Sequence, residues 1–220
     1  MIKLTNYIFF ILIYSLPSIA LDCDLELAFE TYMSGDYMSA SELSLPCAND
    51  GDSLAQYILG EYHYYDTKDY EEAYNWLIKA ADQGDPDGMY LLAEMYRNGH
   101  HVKKDEKSAI ELYELSAEEA VSEAKFQLGL IYIDAGFWSS INRDYRKAEK
   151  WFKEAADDGI AEAAYNLYVI YYNGWINGDA DKWLEIAASL GDEKATKELE
   201  KKQSADALEN KLRDLFAPTE

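Results

Sequence analysis

An internal repeat with the spacing of an α-helix constrains this chain more than any other feature of its sequence. Segments that start at Ala55, Gly88, Ala124 and Ala163 each carry a leucine four positions later and a tyrosine or histidine eight positions later. Offsets of this kind lie on one face of an α-helix. Because self-similarity at a fixed period indicates stacked supersecondary units, we expect an array of helical repeats.

A second helix is predicted in each unit after the first. It carries an alanine column and, two turns later, a pair of small residues; the column consists of Ala73, Ala109, Ala148 and Ala180. An aspartate precedes the alanine by four residues at Asp69, Asp105 and Asp144, where its carboxylate suits a helix N-cap. A left-handed residue, usually glycine, is favoured just after the end of a helix. Three of the second helices are followed by such a glycine: Gly84, Gly159 and Gly191. In the remaining unit Ala120 holds this position.

A shorter and weaker unit precedes these four, and a charged stretch follows them. The predicted units span approximately 24–51, 55–84, 88–120, 124–159 and 163–191, and residues 192–220 form a C-terminal capping helix with a short tail. Terminal elements of a repeat array cover its exposed core, so atypical ends are expected.

The pattern A-x-x-x-L-G-x-x-Y, then D-x-x-K-A-x-x-W, then A-A-x-x-G resembles the Sel1-like repeat, a relative of the tetratricopeptide repeat. The resemblance is clearest between Ala124 and Gly159. It implies an all-α, right-handed solenoid of about five helical hairpins that acts as an adaptor or binding scaffold. It brings no universal catalytic residues with it. Within the clearest repeat we expect Leu128 in the core and Glu149 on the exposed surface.

The first 20 residues differ from the rest of the chain. Lys3 is their one charged residue, an apolar run extends from Tyr7 to Leu16, and small residues stand at Ser18 and Ala20. This order is typical of a secretory signal peptide. We therefore expect cleavage after Ala20 and a periplasmic or secreted protein, with no stable insertion in the membrane because the run is too short to span one.

The two cysteines of the chain, Cys23 and Cys47, fall where the first hairpin begins and ends. In an exported protein such a pair persists as a disulfide. Two thiols alone make a poor metal site, so we predict a structural disulfide.

The charge balance restricts the partner. The chain has 20 Lys and Arg against 42 Asp and Glu, a formal net charge of −22. Nucleic acid is excluded as a partner because phosphate binding needs clustered cations. A protein with a cationic surface would be attracted, although the same charge also serves solubility alone.

Enzymatic motifs are weak. Ser122 and Lys125 match the S-x-x-K of serine β-lactamases, but the companion motifs are absent. His63, His100 and His101 do not form a metal-binding pattern, and His63 stands in a core tyrosine column. No enzyme, cofactor or metal is predicted.

The face of the first helices opposite the core is the predicted partner-binding surface. Its tyrosines and phenylalanine lie among carboxylates, and large aromatic side chains are frequent binding hot spots. The alternative is that these rings pack between repeats. The predicted contact residues are Tyr57, Glu61, Tyr64, Tyr90, Glu94, Arg97, Phe126, Leu130, Tyr165 and Tyr172. Two loops, with Phe137-Trp138 and Trp175-Ile176, are further candidates.

These features favour a periplasmic protein–protein interaction module. A sharper hypothesis is an immunity protein that neutralises a toxic effector, because Sel1-like proteins of this size with signal peptides resemble the immunity partners of antibacterial phospholipase effectors. The alternative is a Sel1-like adaptor, regulator or virulence-associated protein that engages an envelope or host protein. A β-lactamase-like hydrolase is the hypothesis that the sequence supports least.

Overall fold

The structure is a computed structural model that describes residues 23–134 and 142–216. The predicted signal peptide and the Phe137-Trp138 loop lie outside the described residues. Within the described ranges the chain is all-α, as predicted, with no β-strand. Eleven α-helices are present there: α1 Leu25–Met33, α2 Tyr37–Asn49, α3 Ser53–Tyr62, α4 Tyr70–Asp82, α5 Pro86–Asn98, α6 Glu106–Glu118, α7 Ser122–Asp134, α8 Tyr145–Asp157, α9 Ala161–Tyr172, α10 Ala180–Ser189 and α11 Glu193–Leu215.

Aspartates begin most of these helices. The predicted caps at Asp69, Asp105 and Asp144 are confirmed, since each carboxylate accepts a backbone N–H of the first helical turn. Asp85 caps α5 in the same way through the amide of Gly88, at 2.8 Å. Five further helices start from a capping aspartate, at Asp24, Asp36, Asp52, Asp179 and Asp192. A side-chain acceptor at this position satisfies an amide that has no partner within the helix.

The second helices end in left-handed residues, as the glycine pattern predicts. Gly159, for example, has φ 101° after α8. Ala120 holds the corresponding place after α6 and also has a positive φ, of 70°. An L-residue other than glycine, asparagine or aspartate rarely adopts this conformation, because its Cβ crowds the backbone.

The chain divides into two compact units, one ending at Leu92 and the other beginning at Ala93, so the boundary falls within α5. In the first unit α1 packs on α2, α2 on α3 and α3 on α4. The predicted disulfide between Cys23 and Cys47 is confirmed and joins a residue two positions before α1 to the last turn of α2. Cys47 is buried against Ala48, Ala55 and Leu59.

In the second unit, successive helices from α6 to α11 pack on one another in chain order. Leu128 is fully buried, as its repeat column predicts. In α7 the small residue that follows the leucine is Gly129, which lets Phe152 of α8 approach closely. A Cβ at this position would lie 2.5 Å from the ring of Phe152. Gly60 has the same role in the first unit, against Leu77.

Helix α11 buries side chains only at its start. Ala195 is fully buried, and this end of the helix contacts α10. Every described side chain from Glu200 to Phe216 is exposed, including those of Leu208, Leu212 and Phe216. The predicted capping helix therefore buries side chains only in its first turns, and farther along Lys202 forms an ion pair with Asp181 of α10. Among the described helices, none combines the length and apolar character needed to cross a membrane.

Candidate functional site

A π-helical turn at the end of α3 shapes the candidate site. It spans His63–Thr67 and is followed by Lys68 in a left-handed conformation with φ 56°. A π-helical turn holds more residues than an α-helical turn, so it shifts the register of the side chains that follow, and such turns are frequent at functional sites.

The register shift corrects two predictions. Tyr64 was assigned to the binding surface, but it is only 8% exposed, like the core tyrosines Tyr132 at 6% and Tyr171 at 8%. His63, which occupies the core tyrosine column in the sequence, is half-buried, and its Nδ1 lies 3.2 Å from the hydroxyl of Thr67. Tyr64 therefore takes the buried place that the repeat pattern gives to His63.

A cavity of 190 Å³ opens beside this turn, within the first unit. Helix α1 and helix α2 each contribute one tyrosine, and α3 with its π-helical turn contributes the rest of the wall. The lining consists of four tyrosines, one isoleucine and two carboxylates: Tyr32, Tyr37, Ile58, Glu61, Tyr62, Tyr65 and Asp66. We call it the tyrosine cavity.

The tyrosines of this region support one another through edge contacts. The ring centroid of Tyr32 lies 5.6 Å from that of Tyr37 and 6.2 Å from that of Tyr57, both in T-shaped arrangements. The hydroxyls of Tyr32 and Tyr57 are 3.1 Å apart. Tyr57, a predicted contact residue, is half-buried behind the cavity and so positions Tyr32. Burial raises the pKa of both tyrosines, which keeps their hydroxyls protonated as donors.

Glu61 is the predicted contact residue that the structure places in the cavity wall. Its side chain is half-buried, and its Oε2 atom is buried without a hydrogen-bond partner among the described residues. Burial raises the pKa of Glu61, and the negative charges of Asp87 and Asp66 act in the same direction. The nearby hydroxyls of Tyr32 and Tyr57 lower it in part. The cavity therefore contains an acceptor whose desolvation is only partly compensated.

Large exposed side chains lie on the helices and the π-helical turn that line the cavity. Met33, at the end of α1, is 68% exposed, and Tyr65, on the π-helical turn, is 53% exposed. Phe29, Tyr37 and Met38 are exposed as well. Sequence analysis misses Tyr32, Tyr37 and Tyr62 as lining residues. In the weak first unit the repeat pattern assigns Tyr32 to the core column. The repeat columns also contain no information on how α1 and α2 meet the end of α3.

Two predicted contact residues of the second unit belong to a polar network instead. Glu94 accepts a hydrogen bond from the hydroxyl of Tyr113 and pairs with Arg97 at 3.6 Å. Arg97 in turn donates to the side chain of Gln127. Burial and the Glu94 charge raise the pKa of Tyr113, so its hydroxyl remains a donor. The network joins α5 to α6 and α7.

The other predicted contact residues differ in exposure. Phe126 is half-buried with its ring centroid 5.9 Å from that of Phe152, and Tyr165 is half-buried with its ring 5.7 Å from Tyr168. Leu130 and Tyr90 are also half-buried. Tyr172 is the most open, at 70% exposed. Both ring contacts lie within a single repeat, so packing between repeats stays an alternative for Phe126 and Tyr165.

One further expectation for the second unit, that Glu149 is exposed, is wrong. Glu149 is only 13% exposed and accepts hydrogen bonds from Lys153 at 2.7 Å and from the hydroxyl of Tyr171 at 2.5 Å. Burial acts to raise the pKa of Glu149, but these bonds outweigh it and the pKa is lowered. In the second candidate loop Ile176 is buried, whereas Trp175 is partly exposed and stacks on Tyr145 at 4.9 Å.

The S-x-x-K pair is part of an interhelix link. The hydroxyl of Ser122 lies 3.1 Å from Asp158 Oδ2, and Lys125 Nζ forms an ion pair with the same oxygen at 2.6 Å. Lys125 is buried, and Asp158 directly follows α8. The two side chains therefore connect α7 to the end of α8. In the described ranges, no group of three or more His, Cys, Asp or Glu could hold a metal ion.

Short helices packed in chain order, with one set of core columns in each pair, define a helical-repeat protein. The Sel1 repeat matches four consecutive segments, residues 53–85, 86–121, 122–160 and 161–192, which together exceed half of the chain. The chain belongs to the Sel1 repeat family. The first hairpin, which supplies Tyr32 and Tyr37 to the cavity, lies outside these four segments.

Similar proteins agree with this assignment. A Sel1 repeat protein from Oxalobacter formigenes superposes with a TM-score of 0.68 at 25% identity, over 78% of this chain and 72% of that one. A protective antigen of uropathogenic Escherichia coli strains gives a TM-score of 0.63 at 28% identity, over 76% of this chain and 38% of that one. A sel1-like repeat-containing protein of Acanthamoeba polyphaga mimivirus is 36% identical over 90 residues, 41% of this chain and 16% of its own length. The chain thus spans less than a fifth of this mimiviral relative.

Proposed function

We propose that this protein is an exported protein-binding module that docks a cationic partner on its first unit. The observation that carries the proposal is the exposed surface around the tyrosine cavity. Phe29, Met33, Tyr37, Met38 and Tyr65 are exposed on the two helices and the π-helical turn that line it, and the cavity wall adds the carboxylates of Glu61 and Asp66. Aromatic and methionine side chains are enriched in protein interfaces, and exposed apolar clusters mark interaction sites. We call these five residues the apolar rim.

Two features support export. The first 20 residues have the order of a signal peptide, and the disulfide between Cys23 and Cys47 suits an oxidising compartment. The net charge of −22 supports a cationic partner, because a strong field of opposite sign increases the rate of encounter. The Sel1 repeat brings no catalytic residues with it, and Lys125 of the Ser122–Lys125 pair forms an ion pair with Asp158 between helices. The proposed role is therefore binding alone.

The sharper form of the proposal is an immunity protein that sequesters a toxic phospholipase-type effector. A strongly acidic binding surface would suit a protein that covers a cationic site on such an enzyme. An adaptor for an envelope protein would use the same surface without inhibiting an enzyme. Once a partner is known, its toxicity in cells with and without this protein distinguishes the two.

The test uses the exported, disulfide-bonded protein as bait in a periplasmic extract, with mass spectrometry of what it retains. The double variant Tyr37→Ala/Tyr65→Ala removes two rings of the surface. Phe216→Ala removes a ring that is 82% exposed in the other unit and lies outside the predicted contact residues, so it is the control. We expect the first variant to lose the retained protein and the control to keep it. Retention should also weaken as salt rises. Equal retention by both variants would show that the apolar rim is not the docking surface.

A further inference from the structure

The tyrosine cavity has the chemistry of a receptor for a single organic cation. The faces of aromatic rings attract ammonium and guanidinium groups, and four of the seven lining residues are tyrosines. The lining also includes the carboxylates of Glu61 and Asp66, and no Lys or Arg. We propose that the cavity receives one lysine or arginine side chain of the partner protein, which deepens the function proposed above and rests on it.

The unsatisfied acceptor in the wall supports a cationic occupant. Oε2 of Glu61 is buried without a hydrogen-bond partner, and no ion pair joins Glu61 or Asp66 to a cation in the part of the chain that the structure describes. A partly buried carboxylate without a counter-charge is unfavourable, and a cation in the cavity would supply that counter-charge. The hydroxyls of Tyr32 and Tyr57 hold the wall behind it in place.

The size of the cavity favours the end of a side chain. Its volume is 190 Å³. Cofactors and drug-sized ligands occupy pockets of roughly 300–1,000 Å³. An alkylammonium or alkylguanidinium group has the right size and can remain attached to a partner outside, where the apolar rim would contact the rest of that protein.

Other occupants fit less well. An anion would be repelled by Glu61 and Asp66, and by the nearby charge of Asp87. A neutral apolar group would cover the carboxylate of Glu61 without pairing it. A metal ion would find two carboxylates only, fewer ligands than protein metal sites supply.

The experiment titrates the full exported chain with n-butylammonium and n-butylguanidinium, analogues of the two side chains, and with neutral n-butanol. Binding is followed by NMR shifts of Tyr and Glu61 signals and by calorimetry. Tetramethylammonium is a further arm that reports a free quaternary ammonium ligand in place of a side chain. We expect both alkyl cations to bind saturably, butanol not to bind, and tetramethylammonium to bind more weakly because it has no N–H to donate to the carboxylates of the cavity wall.

Two variants and a control assign the binding to the cavity. Glu61→Gln should weaken butylammonium binding about tenfold or more, because a charge-assisted hydrogen bond is lost. Tyr65→Ala should weaken it by about 2- to 30-fold, the range of a cation–π contact. Glu71→Gln removes the same charge from an exposed site on α4 and should leave it unchanged. If Glu61→Gln fails to fold by circular dichroism, Asp66→Asn replaces it, since Asp66 is exposed on the π-helical turn.

Several results would overturn the inference: no saturable binding of either alkyl cation, butanol binding as tightly as butylammonium, or equal effects of Glu61→Gln and Glu71→Gln. Tighter binding of tetramethylammonium than of the alkyl cations would identify a free quaternary ligand and not a side chain. These outcomes are separate from those of the proposed function. If the partner protein still needs Tyr37 and Tyr65 for binding but the cavity binds no alkyl cation, the side-chain receptor is refuted and the docking surface remains supported.

Discussion

Replacing Gly129 by alanine probes how closely α7 and α8 approach. The added Cβ would lie 2.5 Å from Cδ1 and Cε1 of Phe152 and 2.9 Å from its Cγ. Carbon atoms in contact prefer a separation of about 3.5–4.0 Å. Phe152 is fully buried, so its ring has no open space to enter, and the two helices must move apart or the ring must leave its rotamer.

Two opposing effects set the size of the change in stability. Alanine is favoured over glycine in the interior of a helix by about 0.5–1 kcal/mol. Overpacking a well-packed core costs about 1–3 kcal/mol. We therefore expect Gly129→Ala to lower the free energy of unfolding by about 0.5–2 kcal/mol, which for a chain of this size reduces Tm by a few °C.

The sign of the effect makes the experiment decisive. Urea unfolding followed by circular dichroism would compare Gly129→Ala, Phe152→Leu and the double variant. The double variant should be more stable than the sum of the single effects predicts, because the smaller leucine accepts the new methyl group. If Gly129→Ala stabilises the protein, helix propensity dominates and the close approach of the two helices is not what requires glycine at this position.

Four further changes have defined outcomes. Leu128→Ala should cost about 2–5 kcal/mol of unfolding free energy in urea, as for other fully buried leucines, and a cost under 1 kcal/mol would contradict its place in the core. Replacing Cys23 and Cys47 by alanine should cost about 3.5 kcal/mol, the loop-closure entropy for a sequence separation of 24, and thiol labelling of the unreduced wild type should find no free thiol. Ala120→Gly should raise the unfolding free energy by up to about 1 kcal/mol because it relieves a positive φ, and a lower Tm would refute this. Lys125 bonds Asp158 and lowers the pKa of that carboxyl below its ordinary value of 3.8, so the ion pair stabilises the fold above that value and the stabilisation is lost as the pH falls through the lowered pKa. The variant Asp158→Asn should therefore show a smaller fall in Tm than the wild type between about pH 5 and pH 2. Equal falls in Tm would argue against the pair.

The features that the sequence predicts well are local or repeated. The N-caps at Asp69, Asp105 and Asp144 depend on a few neighbouring residues, and the burial of Leu128 follows from a column that recurs in four units. The disulfide could be predicted because Cys23 and Cys47 bracket one hairpin. In each case a short stretch of sequence determines the result.

The errors come from contacts that the repeat columns do not contain. The π-helical turn places Tyr64 in the core in place of His63, and a single sequence has no periodic signal for one added residue. Glu149 appears exposed from helical spacing, but it accepts a hydrogen bond from Tyr171 on the next helix. The tyrosine cavity needs α1, α2 and the π-helical turn together, so no single repeat could reveal it.

The aspartates that begin the helices link the acidity of this chain to its architecture. Nine of the 42 acidic residues cap helices in the described part, at Asp24, Asp36, Asp52, Asp69, Asp85, Asp105, Asp144, Asp179 and Asp192. Asparagine accepts the same backbone hydrogen bond, and aspartate adds only the attraction of its charge to the helix dipole, about 0.3–1 kcal/mol at each site. Part of the net charge is therefore a by-product of building a protein from many short helices, each with its own start. Exchanging two or three of these aspartates for asparagine would weaken the electric field at a cost of about 1–3 kcal/mol, so that the contribution of the field to solubility and to partner encounter can be measured apart from the packing of the repeats.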